Sequence, residues 1–412
     1  MNKNKYRLVG LIPKDNGSGG GAWLGTLRLF KGLNLILGNG KLKLFLAIKN
    51  LDNDFVETIH KFGISKYCYF FMALCSRLIN RIILQNKNKN HFSFNLIPSV
   101  LDFTLYKCSK KGLNLYLHWV GNNFVSIWLI KLITKKKNVL IKFADYWWLT
   151  GGCHYPKNCD GFKKNNCIDC PAVRQNLRWI PANLFLIKRK ILNKKNIKII
   201  SPSKHLYGTT KKIISNPNIF YIPNGIEIKP YQNRDFNKKS IGIIAHGLRD
   251  PRKNFSQLKD VFALLLNQES LIINICGDST DKLVKFYSNN KLCELNNYGY
   301  IKDDLDLQEF YLNSNHILFF SIKDNSPNQI MEAMSYGSIM IAFYNNFTKE
   351  NILHNHNGYL LSKFLSKEEI IANIKKIMNM PNKDQISLNA YYHSKSKFSQ
   401  EKMSYKYSKL LN

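Results

Sequence analysis

Short apolar runs alternate with longer amphipathic segments over almost the whole chain. In the first half, Tyr6–Ile12, Leu44–Ile48, Asn114–Trp119, Val139–Phe143 and Ile197–Pro202 read as strands. Ser240–Ala245, Leu271–Cys276, His316–Phe320 and Ser338–Phe343 read the same way in the second. A strand that is apolar along its whole length must be covered on both faces. The segments between, such as Trp23–Leu37 and Asn254–Leu266, have the helical periodicity to do so. The pattern predicts an α/β chain of parallel layers. With 412 residues and a prior of about 150 per domain, more than one such layer system is expected. Pro223-Asn224-Gly225 is the best turn signal between the halves. The expected division is 1–225, 226–395, and a terminal helix over 396–412 that crosses back to the first domain.

Charge separates the halves further. The chain holds 61 Lys and Arg against 27 Asp and Glu, a net charge of +34. Residues 1–225 carry 37 basic and 8 acidic residues, whereas 226–412 carry 24 and 19. A bias of base composition would spread lysine evenly, so the first half is expected to meet something anionic: nucleic acid, a membrane surface or a phosphate-bearing substrate. With 45% hydrophobic and 21% charged residues, a disordered tail or a small disulfide scaffold is excluded. The start, MNKNKYRLVGLIPKD, lacks an apolar signal-peptide core. The greasiest run, Tyr67–Cys75, is far short of the roughly 20 residues of a bilayer span. Nine cysteines without an export signal point to a reducing cytoplasm. The segment Ser65–Leu84, with Tyr69, Phe70, Cys75 and Ile79 among Arg77 and Arg81, reads either as an interfacial membrane helix or as a helix packed on the sheet.

Three loops carry candidate chemistry. Gly17-Ser18-Gly19-Gly20-Gly21 follows the first strand and opens a helix, where backbone N–H groups can approach an anion. His246-Gly247-Leu248-Arg249-Asp250-Pro251-Arg252-Lys253 clusters three cations after the first strand of the second domain, the edge at which ligands of open α/β sheets gather. In KDNSPNQIMEAMSYG, Asp324 precedes Pro327 and Asn328, and Glu332 follows one turn into the predicted helix. Each loop alone also fits an ordinary turn or capped helix.

Taken together, the motifs GGAWLGTLRL, LHWVGNNFVSI, DYWWLTGGCHYPKNC, CIDCP, SPSKHL, IPNGIE, DPRKNF, DNSPNQIMEAMSYG and NGYLL resemble, in that order, family-4 retaining glycosyltransferases. The subgroup is the one that builds bacterial surface polysaccharides. The resemblance implies a GT-B fold, two Rossmann-like domains facing each other across a cleft. It implies transfer of a hexose-type sugar from a UDP- or GDP-sugar to a lipid-linked glycan, at the inner face of the cell membrane. Glu332 would then bind the nucleotide ribose; Asp324, Asn325, Pro327 and Asn328 would meet the sugar and diphosphate. Arg249 and Lys253 would neutralise phosphate, and Gly20 and Gly21 would bring backbone amides from the first domain. Catalytic roles fall to Asp324, Asp145 and His118. Two departures stand out: Asp324 occupies the place of a Glu, and Ala144 precedes Asp145 where many members carry His. His118 is the candidate to compensate; otherwise the chain is a catalytically weakened relative.

Cys153, Cys159, Cys167 and Cys170 lie within 18 residues of one another, and the loop over 151–171 that holds them is a candidate four-thiolate structural zinc site. A redox pair or packed thiols are the alternatives, and no catalytic metal is expected. A basic nucleic-acid-binding protein with that metal loop is the other function class, but no stacking or groove-reading motif accompanies the lysines. The expected partners are therefore a nucleotide sugar, a glycan acceptor and an anionic membrane surface, without nucleic acid.

Overall fold

The computed structural model describes every residue except 1–4, 15–20, 50–52, 60–63, 86–91, 99, 157–158, 249, 268–269, 286–292, 302 and 412. It forms two units, Met1–Pro223 with Glu401–Asn412, and Asn224–Gln400.

The first unit is built on strands β1 (Tyr6–Lys14), β2 (Leu42–Ile48), β3 (Val56–Thr58), β4 (Gly112–Leu117), β5 (Asn138–Lys142), β6 (Ile197–Ser201) and β7 (Ile219–Tyr221). They pair in parallel in the order β3-β2-β1-β4-β5-β6-β7. The helices are α1 (Gly21–Leu37), α2 (Ile64–Ile83), α3 (Val100–Ser109), α4 (Ile127–Ile133), α5 (Gly161–Lys164), α6 (Trp179–Leu192) and α7 (Lys204–Ile213). Because side chains alternate across a strand, each strand feeds two cores. Val9, Leu115, Val139 and Ile199 enter one; Leu8, Tyr116, Leu140 and Ile200 enter the other. The second core is completed by α14 (Gln400–Lys409), whose Tyr407 ring meets Tyr116 at 6.2 Å. Asn114 Nδ2 and Lys198 Nζ donate to the carbonyls of Leu411 and Leu410 and hold the end of α14 in place.

The second unit uses β8 (Lys239–Ile244), β9 (Leu271–Cys276), β10 (Glu294–Gly299), β11 (His316–Phe319), β12 (Ile339–Phe343) and β13 (Gly358–Leu361), all parallel, in the order β10-β9-β8-β11-β12-β13. Its helices are α8 (Phe255–Leu265), α9 (Asp281–Val284), α10 (Asp304–Leu312), α11 (Asn328–Ser335), α12 (Lys367–Met378) and α13 (Lys383–Lys397). The buried Arg234 guanidinium ties this sheet to α10. It donates to Asn315 Oδ1 and to the carbonyls of Tyr311, Leu312, Ser314 and Tyr336. Burial still holds its pKa down at about 10. Gly337 ends α11 at φ +74°, and a Cβ there would lie 2.7 Å from Ser387 Oγ, so glycine alone fits.

Candidate active site

In an open α/β sheet the crevice lies beyond the carboxyl ends of the strands, where the strand order reverses. In the second unit that point is between β8 and β11. The loop after β8 and the loop after β11 are joined there by Ile322 N–H donating to the Arg252 carbonyl. Lys253 Nζ reaches Asp324 Oδ2 at 3.4 Å, with both side chains about one-fifth exposed. Asp324 Oδ1 accepts from Asn325 N–H, which sets the carboxylate on the loop. Arg252, one residue earlier, is instead directed to Asp250 through Nε and Nη2. The sequence thus supplies adjacent cations with different jobs: one closes the turn, the other faces the second loop.

Pro327 precedes α11 and gives it no side-chain cap, so the backbone donors of its first turn are not met by a capping side chain. Asn224 Nδ2 lies 3.3 Å from Asn328 Oδ1 and 3.5 Å from Ser326 Oγ. Glu332 is buried on the second turn, where its Oε2 accepts from the Tyr311 hydroxyl at 3.1 Å. Tyr336 stacks on Tyr311 at 5.6 Å and fixes that hydroxyl. Lys253 and Asp324 therefore meet, with Asn325 on the same loop and Pro327 and Asn328 at the start of α11, while Glu332 points toward Tyr311. Tyr311 itself had no motif to announce it. Arg249 and Gly20 lie outside the described residues; Gly21 is the exposed first residue of α1.

The first unit reverses its strand order between β1 and β4. Beyond β4, the buried His118 Nδ1 lies 2.9 Å from Thr26 Oγ1 on α1. The Thr26 hydroxyl also lies 2.9 Å from the Ala22 carbonyl, one turn back on α1. Burial and the neighbouring Lys142 hold the imidazole well below its ordinary pKa, so it is neutral. Lys142 closes β5 fully buried, and its Nζ has no hydrogen-bond partner among the described residues. Burial brings its pKa down to about 7. Lys188 is equally buried and falls to about 7 for the same reason, although its Nζ donates to the Trp147 carbonyl.

His118, Ala144 and Asp145 line one small pocket, and with them stands a histidine the sequence reading passed over, His154. Its Nδ1 is 2.7 Å from Asp145 Oδ2 and its Nε2 is 2.9 Å from Ser93 Oγ. Trp119 stacks against its ring at 6.2 Å, and Asp145 Oδ1 accepts from Trp147 N–H. The Ser-His-Asp connectivity is that of a nucleophilic triad, but Ser93 is completely buried. The chain of bonds therefore fixes a His–Asp pair at the pocket and makes no nucleophile. The only signal for it was a histidine nine residues after Asp145.

The four cysteines of the 151–171 loop do not form a ready ligand set. Among the described residues no three or more of His, Cys, Asp and Glu are arranged to hold a metal. Cys167 Sγ accepts from Gly151 N–H and Cys159 Sγ from Gly161 N–H. Burial pushes the Cys153 and Cys167 thiols up to about 12 and about 11. The loop is held instead by Phe162, Cys167 and Val173, buried in the core with Trp147.

Residues 229–392 match the family described as Glycosyl transferases group 1. The second unit is a group 1 glycosyltransferase domain. Over 317 residues the chain is 24% identical to an Escherichia coli K12 protein assigned to colanic acid biosynthesis as the glycosyl transferase WcaC, covering 72% of this chain and 71% of that one. Its fold is shared with Anabaena HepE solved with UDP-glucose (13% identity, 98% of both chains, TM-score 0.64). Sucrose-phosphate synthase from Thermosynechococcus elongatus (12%, 98% of each, 0.63) and a glycosyltransferase from Rickettsia africae (16%, 99% and 98%, 0.59) share it too. Two parallel-sheet Rossmann-like domains of this kind constitute the GT-B fold. The group 1 domain coincides with the unit that holds Lys253, Asp324 and Glu332.

Proposed function

We propose that this glycosyltransferase moves a hexose-type sugar, with retention, from a UDP- or GDP-sugar to a lipid-linked glycan in surface-polysaccharide synthesis. It would work peripherally at the inner face of the cell membrane. The observation that carries the reading is the Lys253–Asp324 pair at the strand-order reversal of the group 1 domain, beside the open N-terminus of α11. Transfer breaks the bond between the anomeric carbon and the diphosphate oxygen and forms one to the acceptor hydroxyl oxygen. The acceptor proton leaves with the nucleoside diphosphate. Charge therefore develops on the departing phosphate, where an ammonium group and backbone N–H donors stabilise it. Lys253 supplies the cation, and Asp324 orients it. Glu332, held by Tyr311, accepts from ribose hydroxyls. In the first unit the neutral His118 and the Asp145–His154 pair serve the acceptor side in place of the residue missing at Ala144.

A thermal-shift series on the full chain with UDP, GDP and ADP tests the donor reading. Ligand at about 100 Kd adds about 2.7 kcal/mol of stability. One of the three diphosphates should raise Tm, and Glu332→Gln should remove most of that rise. No shift with any diphosphate, or an unchanged shift in Glu332→Gln, refutes the assignment. Retention is read from the anomeric configuration of the product by NMR.

A further inference from the structure

Helix α2 has two apolar faces, and the fold uses one. Tyr69, Met72 and Ile83 are buried toward the sheet, with Tyr69 edge-on to Phe124 at 6.0 Å and Asn80 Nδ2 donating to the Phe92 carbonyl. Tyr69 thus faces inward and Phe70 outward. At 3.6 residues per turn, Tyr67, Phe70, Phe71, Leu74, Leu78 and Ile82 fall within an arc of about 120° on the opposite side. Each of these six is 46–74% exposed. Scattered exposed apolar side chains are ordinary, but a continuous stripe along about four turns marks an interaction surface.

The surroundings of the stripe select its partner. Lys66, Arg77 and Arg81 are exposed along one edge of it. Helix α3, packed against α2, exposes Phe103, with Lys107 Nζ 4.2 Å from its ring centre, and α4, packed against α3, exposes Trp128 and Leu132. Residues 64–137 contain twelve Lys and Arg and a single acid, Asp102. That carboxylate accepts from Ser126 N–H, within the fold. A long apolar stripe bordered by cations matches the apolar interior and anionic headgroups of a lipid leaflet. A second copy of the chain would bring the same cations against each other.

We propose that α2 lies in the plane of an anionic membrane, its Tyr67–Ile82 stripe among the acyl chains and its basic edge on the headgroups. The inference rests on the peripheral-membrane reading above and names the surface that performs it. Among the described residues no helix is long and apolar enough to cross a membrane, so attachment is by this face. The test is flotation of the full chain with phosphatidylcholine vesicles containing 30% phosphatidylglycerol, without donor or acceptor. The wild type should float. The variant Phe71→Ser/Leu74→Ser/Leu78→Ser should lose at least a hundredfold in partitioning, and Arg77→Glu/Arg81→Glu about tenfold. Raising NaCl should weaken the wild type without abolishing its binding, because the apolar part is not screened. Unchanged flotation of the triple serine variant overturns the proposal, as does equal binding to pure phosphatidylcholine. A dimer in sedimentation velocity that the triple variant converts to monomer, with no flotation, assigns the stripe to a second copy and overturns it too. Circular dichroism of each variant should match the wild type, since the altered residues are exposed. Hydrolysis of donor in lipid-free buffer should be unchanged in the triple variant, so failure of the sugar-transfer reading would be seen separately.

Discussion

Lys142 offers a measurement that reads the interior of the first unit directly. Its ammonium lies fully buried without a hydrogen-bond partner among the described residues, and its pKa falls from the ordinary 10.5 to about 7. The unfolded chain keeps the proton up to about pH 10, whereas the folded chain sheds it near 7. Between those values the unfolded state binds one more proton, so stability rises with pH by about 1.4 kcal/mol per pH unit. Lys188, displaced to about 7 as well, adds a similar slope. The two together give about 2.7 kcal/mol per unit. The thiols act in the opposite sense: Cys153 and Cys167, held up to about 12 and about 11, keep protons in the folded chain that the unfolded one loses above pH 9. The clean window is therefore pH 7.5–8.5. All six tryptophans lie between Trp23 and Trp179, so their fluorescence in a urea titration reports this unit and not the other. Lys142→Met should halve the slope and raise stability at pH 7 by several kcal/mol, within the ~5 kcal/mol that the full displacement represents. Equal slopes in wild type and Lys142→Met would show that the folded chain keeps this lysine charged, and the reasoning would fail.

Lys253→Ala should weaken nucleoside diphosphate binding roughly tenfold to a hundredfold by calorimetry, from the loss of a charge-assisted bond of about 1.5–3 kcal/mol. Arg252→Ala should change it by less than threefold, since that guanidinium is directed to Asp250. His154→Ala and Asp145→Asn should each lower transfer at least tenfold while leaving diphosphate affinity intact, a split visible in kcat against the binding constant. Arg234→Met removes the guanidinium that donates to the carbonyls of Tyr311, Leu312, Ser314 and Tyr336. It should lower the stability of the second unit by about 3–5 kcal/mol, read by amide hydrogen exchange in β11 and β12.

The strands legible in the sequence were those in the sheet interiors. Leu271–Cys276 and Ile339–Phe343 are covered on both faces, so nearly every position is apolar and the run cannot be missed. The strands that escaped notice, β3, β7, β10 and β13, are the four sheet edges. Edge strands need fewer apolar residues, and Glu294–Gly299, ELNNYG, has almost none. At the site, the loop motifs located Lys253 and Asp324 because loop chemistry is local in the sequence. The Asp145–His154 pair depends on a turn that folds nine residues back, and motif reading gave the weight to Cys153 beside it. Lys142 was hidden by abundance: a lysine at the end of an apolar strand resembles every other in so basic a chain. The four cysteines were clustered by spacing, and only coordinates reveal that two of them accept from the backbone.

The placement of α14 in the first unit has a consequence for how the protein is made. Residues 224–400 are synthesised between the two parts of the first unit. At about 5–20 residues per second, those roughly 180 residues take about 10–35 s to emerge. Throughout that interval the Tyr116 face of the earlier sheet waits for Met403 and Tyr407. The second unit has every strand and helix it needs as soon as its own residues appear, so it closes first although it is translated later. A nascent chain stalled before residue 400 should expose an apolar surface on its older half and recruit holding chaperones there. Adding the helix as a separate peptide should relieve that recruitment.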